Sequence, residues 1–194
     1  MLAADVLAYG ARWPVYVWTI DHPDGLVLVD TGMVETRPAL AEWEPRCYPL
    51  ADELVARVAA VINTHLHFDH CGGNPLFPGV PIHVQARELA DARADDDYTI
   101  RDWVDFDGER YVEHEGEAEV LPGIRLLPAP GHTAGHQVVL VEASDGPAVL
   151  GGDVAYSFAE LARGETEGQR RVLELGALTW LAHEHKAKVP EPRS

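Results

Sequence analysis

The chain has 194 residues, 46% of them hydrophobic, and a formal net charge of -17 from 15 Lys and Arg against 32 Asp and Glu. That length and hydrophobicity fit one folded domain over residues 1–194 and argue against disorder. The acidity, with no basic run, excludes a nucleic-acid partner, because phosphate binding needs cations that displace counterions.

No apolar run approaches the roughly 18 residues of a membrane span, so no membrane partner is expected. The N-terminus lacks a basic start and apolar core, and Cys47 and Cys71 make no disulfide framework, so cytoplasmic residence is expected. Val15 to Ile20 and Leu26 to Val29 read as a hairpin joined by Asp21-His22-Pro23-Asp24-Gly25. Thr36 to Arg57 holds a loop interrupted by Pro38, Pro45 and Pro49 and then a helix from about Ala51. Val58-Ala59-Ala60-Val61-Ile62-Asn63 is a short apolar run with β-branched residues and reads as a buried strand. Directly after it, Thr64-His65-Leu66-His67-Phe68-Asp69-His70 sets three histidines and an aspartate within six positions, and Gly72-Gly73 then lets the chain turn. Pro81 to Gln85 reads as a strand, Ala86 to Ala94 as a helix of good formers, and Tyr98 to Tyr111 as a lid or helix. The acidic runs Asp95-Asp96-Asp97 and Glu113 to Glu119 read as solvated loops or helix faces.

Three later segments repeat one grammar of apolar strand, turn and donor side chain. Ile124 to Leu127 leads to His132, Ala148 to Leu150 leads to Asp153, and Leu178 to Leu181 leads to His183 and His185. A late helix is expected around Gly168 to Leu175. This order predicts an α+β fold, a four-layer αββα sandwich with two mixed β-sheets inside and helices outside. Imidazole and carboxylate suit zinc, iron, manganese or cobalt. If the strands point the same way, His132, Asp153 and His183 converge on His65, His67, Asp69 and His70. Seven donors exceed one tetrahedral ion and suit two, with the Asp153 carboxylate able to bind both. Cys71 reads as a small buried residue beneath this loop.

The H-x-H-x-D-H pattern at His65, His67, Asp69 and His70, with Val29-Asp30-Thr31-Gly32, Pro130-Gly131-His132-Thr133-Ala134-Gly135-His136 and Gly151-Gly152-Asp153, closely resembles the metallo-β-lactamase-fold hydrolases. The likeness runs from about Val15 to His183. It implies a first metal on His65, His67 and His132, a second on Asp69, His70 and His183, and Asp153 with a hydroxide bridging them. It also implies that Asp30 supports the site from behind. Two features depart from the family: Ala182 stands where glycine normally precedes the last ligand, leaving His185 as a competitor of His183, and the stretch from Asp153 to His183 is short.

β-Lactamases of this fold carry arginine where His70 stands and cysteine where Asp153 stands, and flavo-diiron proteins carry glutamate where His67 stands. Esters, thioesters and lactones remain. Within the family, His65 to His70, Gly72-Gly73-Asn74 and Asp153-Val154-Ala155-Tyr156 look most like the N-acyl-homoserine lactonases, although the segment ahead of the metal motif is shorter here. The resemblance implies two divalent ions per chain, taken as zinc, and a hydroxide that attacks an ester or lactone carbonyl. Asp69 would move a proton to the leaving group, and Tyr156 would hydrogen-bond the substrate carbonyl. The expected partners are a small-molecule substrate and a second copy in a homodimer. A glyoxalase-II-like thioesterase and a mononuclear-iron sulfur dioxygenase are the alternatives. Trp13, Tyr16, Trp18, Trp43 and Tyr48 are open between an acyl-binding wall and the core, and Phe68 is expected to pack the loop.

Overall fold

The computed structural model describes residues 1–192. Its first large sheet has five strands, β3 (Trp18–His22), β4 (Gly25–Val29), β6 (Val58–Ile62), β7 (Ile82–Gln85) and β8 (Tyr111–His114), in the order β3-β4-β6-β7-β8. Only the β3–β4 hairpin is antiparallel; the remaining pairs are parallel. The second has five strands in the order β13-β12-β11-β10-β9. These are β9 (Ala118–Leu121), β10 (Ile124–Pro128), β11 (Gln137–Ala143), β12 (Gly146–Leu150) and β13 (Leu178–Trp180), with only β12 and β13 parallel. Both sheets are mixed, as expected. A third, three-stranded antiparallel sheet of β1 (Leu2–Ala8), β2 (Ala11–Tyr16) and β5 (Arg46–Cys47) adds to them.

Period-two alternation explains the layering. Val27 and Val29 of β4 and Ala60 and Ile62 of β6 face the gap between the large sheets, where they meet Ile124, Leu126, Val139 and Leu150. Leu26, Leu28 and Val61 face the other way, onto Leu50, Leu54, Val55 and Phe77. On the far side Leu127, Val138, Leu140 and Val149 pack against Phe158 and Leu161 of α5 (Phe158–Leu161) and Val172 of α6 (Glu167–Leu175). The near side is covered by α1 (Asp52–Val55), α3 (Ala86–Ala94) and α4 (Arg101–Val104), of which Leu89, Ala92, Trp103 and Val104 join Val6 and Val15 of the small sheet. Each fully buried Val, Leu or Ile contributes on the order of 1.5–3 kcal/mol, so the three packed gaps hold the four layers together.

The helices start where the chemistry allows. Thr166 and Gln169 form a capping box on α6, and Gly176 closes it at φ 58. Three expectations need correction. The strand read as Val15 to Ile20 breaks at Val17, and its first part belongs to β2 in the small sheet. Tyr98 to Tyr111, read as a lid or helix, is helical only over the single turn of α4 before β8 begins. Glu113 lies in β8 and Glu119 in β9, so only Glu115 and Glu117 sit in the expected solvated loop, while the two ends of the run are strand residues that also turn their carboxylates to solvent. Among the described residues, no helix is long and apolar enough to cross a membrane.

Candidate metal centre

Strands from both sheets end at one place. Parallel neighbours β4 and β6 run out at Asp30 and Thr64, while β12 and β13 run out at Asp153 and His183. The two loops of the second pair stay coupled, since Gly151 N–H donates to Trp180 at 2.8 Å and Ala182 N–H to Gly152 at 3.0 Å. Gly152 has φ +52, and a Cβ there would stand 2.5 Å from Thr64 Oγ1, so only glycine lets the Asp153 loop reach the histidine loop. The short helix α2 (Phe68–Cys71) follows His67 and turns Asp69 and His70 inward, both buried.

The side chains of His65, His67, Asp69, His70, His132, Asp153 and His183 meet in this pocket in three overlapping donor groups. The first holds His65, His67 and His132, the second His65, His70 and Asp153, and the third Asp69, His70 and His183. His132 Nε2 lies 2.9 Å from His67 Nδ1 and 3.2 Å from His65 Nε2. Asp153 spans the set. Its Oδ1 faces His70 Nε2 at 3.3 Å, and its Oδ2 faces His183 Nε2 at 3.2 Å and His132 Nε2 at 3.7 Å. His185 lies outside and exposed, sharing a 2.7 Å hydrogen bond with the Tyr16 hydroxyl.

The donor set fits metal ions. His70 Nε2 and Asp153 Oδ1 are buried, yet neither has a hydrogen-bond partner. Such atoms cost free energy unless something positive sits between them. The far nitrogens are anchored: His70 Nδ1–H donates to Asp30 Oδ2 at 2.8 Å and His183 Nδ1–H to the Pro14 carbonyl at 2.7 Å. This orients each Nε2 inward, the usual arrangement behind a metal-binding imidazole. Asp30, at φ 57 in the left-handed region, also accepts from Thr64 N–H at 2.7 Å and Thr64 Oγ1–H at 2.8 Å.

Electrostatics divide the cluster. Burial, reinforced by neighbouring imidazoles, pulls His65 well below the ordinary histidine value. Burial also lowers His67, and takes His132 down to about 4 against the pull of Asp153. Those three are neutral donors near pH 7. Burial opposes charging of His70 and His183 too, but Asp153 and Asp69 outweigh it and raise both. Asp153 is held well below the carboxylate range, where His183 and His70 overcome the cost of burial.

A cavity of about 510 Å³ opens above the donors. Trp13, Leu40, Trp43, Phe68 and Ile100 form its apolar wall, and His67, Asp69, His132, Asp153, Tyr156 and His183 its floor. Of the aromatic residues left open by the sequence, Trp13 and Trp43 line it. Trp18 packs between the large sheets, Tyr16 contacts His185, and Tyr48 donates to Asp5 at 2.7 Å. Phe68 packs on Trp43 at 5.5 Å between ring centroids and also faces the cavity, so its role extends beyond packing the loop. The Tyr156 hydroxyl lies 3.3 Å from His132 Nδ1, and burial raises its pKa, keeping it protonated. Cys71 is fully buried beneath the loop, its thiol pushed up to about 12 by burial. Tyr98, on the cavity wall, and Glu88, behind it, were not singled out from sequence; a glutamate within a helix of good formers carries no outward mark.

The chain belongs to the metallo-beta-lactamase superfamily, whose family model matches residues 10–182. Among its relatives, an N-acyl homoserine lactonase from a Bacillus species is 33% identical over 165 residues, covering 74% of this chain and 65% of that protein. A Bacillus cereus N-acyl homoserine lactonase is 32% identical over 157 residues, covering 71% of this chain and 62% of that protein. The chain thus spans slightly less than two thirds of the curated relatives it matches. A crystal structure of a quorum-quenching N-acyl homoserine lactone lactonase superposes with TM-score 0.78 at 28% identity, over 90% of this chain and 81% of that one. A quorum-quenching N-acyl homoserine lactone hydrolase gives TM-score 0.78 at 25% identity, over 95% and 90%.

Proposed function

We propose that this protein is a dinuclear metal-dependent hydrolase that opens lactones of the N-acyl-homoserine type, with related esters as secondary substrates. The observation that carries the reading is the Asp153 carboxylate, which faces His132 of one donor group and His70 and His183 of another at the floor of an apolar cavity. His65, His67 and His132 would hold one ion, Asp69, His70 and His183 the other, with Asp153 between them. Zinc is the proposed occupant, because imidazole-rich sets with carboxylates suit it. Two such ions, when bound, supply a water of lowered pKa and polarise a carbonyl.

The chain's own residues supply the rest. With His132 Nε2 turned inward, its Nδ1–H donates to the Tyr156 oxygen 3.3 Å away. The Tyr156 O–H is then free to donate to the substrate carbonyl oxygen as charge develops. Asp69 lines the cavity and is the proposed proton carrier to the leaving alkoxide. Trp13, Leu40, Trp43 and Phe68 would take the acyl chain out of water. Among the described residues, no Lys or Arg lines the cavity, which favours a neutral lactone over a glutathione thioester carrying carboxylates. Seven donors likewise favour two ions over the mononuclear iron of a dioxygenase.

One metal-hydrolase domain in the cytoplasm is the proposed setting, supported by the core shared between the sheets and by unpaired Cys47 and Cys71. Elemental analysis of metal-replete protein, with a panel of acyl-homoserine lactones, γ-lactones, aryl esters and thioesters, tests the reading. Two ions and fastest turnover on lactones are expected. One ion, or thioesters far ahead of lactones, would overturn it.

A further inference from the structure

We propose that Glu88 is the positioning residue of the first histidine triad and links that triad to the cavity wall. The inference rests on the reading that His65, His67 and His132 hold a metal. Glu88 is the third residue of α3 and is fully buried. A glutamate in a helix's first turn ordinarily serves the helix's own free N–H groups. Here the carboxylate leaves its helix and accepts three hydrogen bonds from elsewhere. Leu66 N–H donates to Oε1 at 2.8 Å, Tyr98 O–H to Oε1 at 2.6 Å, and Thr133 Oγ1–H to Oε2 at 2.6 Å.

The placement of those donors gives the contacts their meaning. Leu66 is the residue between His65 and His67, and Thr133 is the residue after His132. One carboxylate therefore grips the chain beside every histidine of the first triad, and it makes no hydrogen bond to Asp69, His70 or His183. The His132 loop also lies directly on α3, where a Cβ at Gly135 would stand 2.3 Å from the Glu88 backbone nitrogen. Tyr98, the third donor, packs against His67 with ring centroids 5.0 Å apart and planes tilted by 49°, and lines the cavity. Metal binding at the first triad and seating of the Tyr98 wall thus share one buried acceptor. Partners behind a ligand set commonly change metal affinity by about 10–100-fold when removed.

The test compares wild type, Glu88→Gln and Tyr98→Phe as full chains, titrated with Zn2+ against a chromophoric chelator and separately loaded with Co2+. In Glu88→Gln one of the two dissociation constants should weaken by about 10–100-fold while the other holds, and the Co2+ absorption bands of the weakened site should shift. Tyr98→Phe should keep both affinities and the Co2+ spectrum but raise KM for a lactone more than it lowers kcat. If Glu88→Gln does not fold, Thr133→Val should weaken the same site and Thr133→Ser should restore it. Wild-type affinities at both sites of Glu88→Gln, or of Thr133→Val, would overturn the inference alone. Equal weakening of both sites would do the same, because a general loss of structure does not choose between triads. A wild-type protein that binds no metal would overturn the inference together with the dinuclear reading.

Discussion

Asp30 and Glu88 are both fully buried carboxylates behind the donor cluster, yet they support it in different ways. Asp30 sits in a loop at the end of β4 and bonds a side chain of the donor cluster directly, through His70 Nδ1–H, besides the N–H and Oγ1–H of Thr64. Glu88 sits on a helix, and its partners are Leu66, Tyr98 and Thr133, with no hydrogen bond to an imidazole of the cluster. It holds the backbone beside His65 and His67 and the hydroxyl beside His132. One carboxylate sets the tautomer and orientation of an imidazole, whereas the other sets where two loops lie. Ring orientation is a local matter and tolerates a loop-borne partner. Loop position needs a rigid anchor, and α3 provides it.

The contrast presumes two distinct donor sets joined by Asp153, and the largest expected effect tests that. Asp153→Ala or Asp69→Ala should cut metal content below two ions and lower lactone hydrolysis by several orders of magnitude. Turnover close to wild type in either would dissolve the distinction between the triads. His183→Ala should likewise lose an ion while His185→Ala keeps both, since His185 faces Tyr16 instead of Asp153.

Stability comes next. Asp30→Ala strands the Thr64 N–H and His70 Nδ1–H in a dry interior, and breaking a buried charged network of this kind costs about 3–5 kcal/mol. Denaturant unfolding of chelated protein measures the loss. A cost below about 1 kcal/mol, the scale of a single ordinary hydrogen bond, would show that Asp30 serves only the loaded site.

A smaller effect is expected at Tyr156, whose hydroxyl leans on His132 of the Glu88-supported triad. Tyr156→Phe should leave both ions in place and slow lactone turnover about tenfold. That is less than the roughly hundredfold or more lost with a donor of a fully optimised oxyanion site, because cations already polarise the carbonyl. Aryl esters, with better leaving groups, should respond less. Identical rates on every lactone would remove Tyr156 from the machinery.

The smallest effect concerns a pair remote from both carboxylates, and it sets the acid background for the stability comparison. His83 and His114 stack with their rings 10° from parallel, and His83 Nδ1 lies 3.0 Å from His114 Nε2. Burial first, then His114 and Arg110, brings His83 down to about 4 from the ordinary 6.5. The unfolded chain therefore takes up a proton that the folded chain refuses. This contribution to stability is complete above pH 6.5 and is lost as pH falls from there toward 4. Thermal midpoints of chelated His83→Gln should fall less steeply over that window than wild type; equal slopes would place the acid sensitivity elsewhere.

Much of the molecule was legible before folding was considered. The helix read as Ala86 to Ala94 matches α3, and the hairpin, the strands ahead of His65 and Asp153 and the late helix near Gly168 all stand within a few residues. Short-range patterns carry that information, since apolar alternation and turn glycines act over a handful of residues. The cluster at His65 to His70 was legible for the same reason: four donors so close in sequence need no fold to bring them together. The acidic run at Glu113 to Glu119 is solvated as its charge implies, but charge does not separate an exposed strand from a loop, so the strand positions of Glu113 and Glu119 carried no signal.

The sequence by itself determined the αββα order, the local histidine cluster and the kind of donors a metal would meet. Tertiary structure decided what depends on contacts between distant residues. It put His183 at Asp153 and left His185 outside, brought Trp13 and Trp43 to the cavity while sending Trp18 into the core, and turned Glu88 off its helix toward Leu66 and Thr133. The physical reason is range. Propensity and periodicity are properties of neighbours along the chain, whereas a buried carboxylate takes its role from whichever donors the packed layers deliver to it.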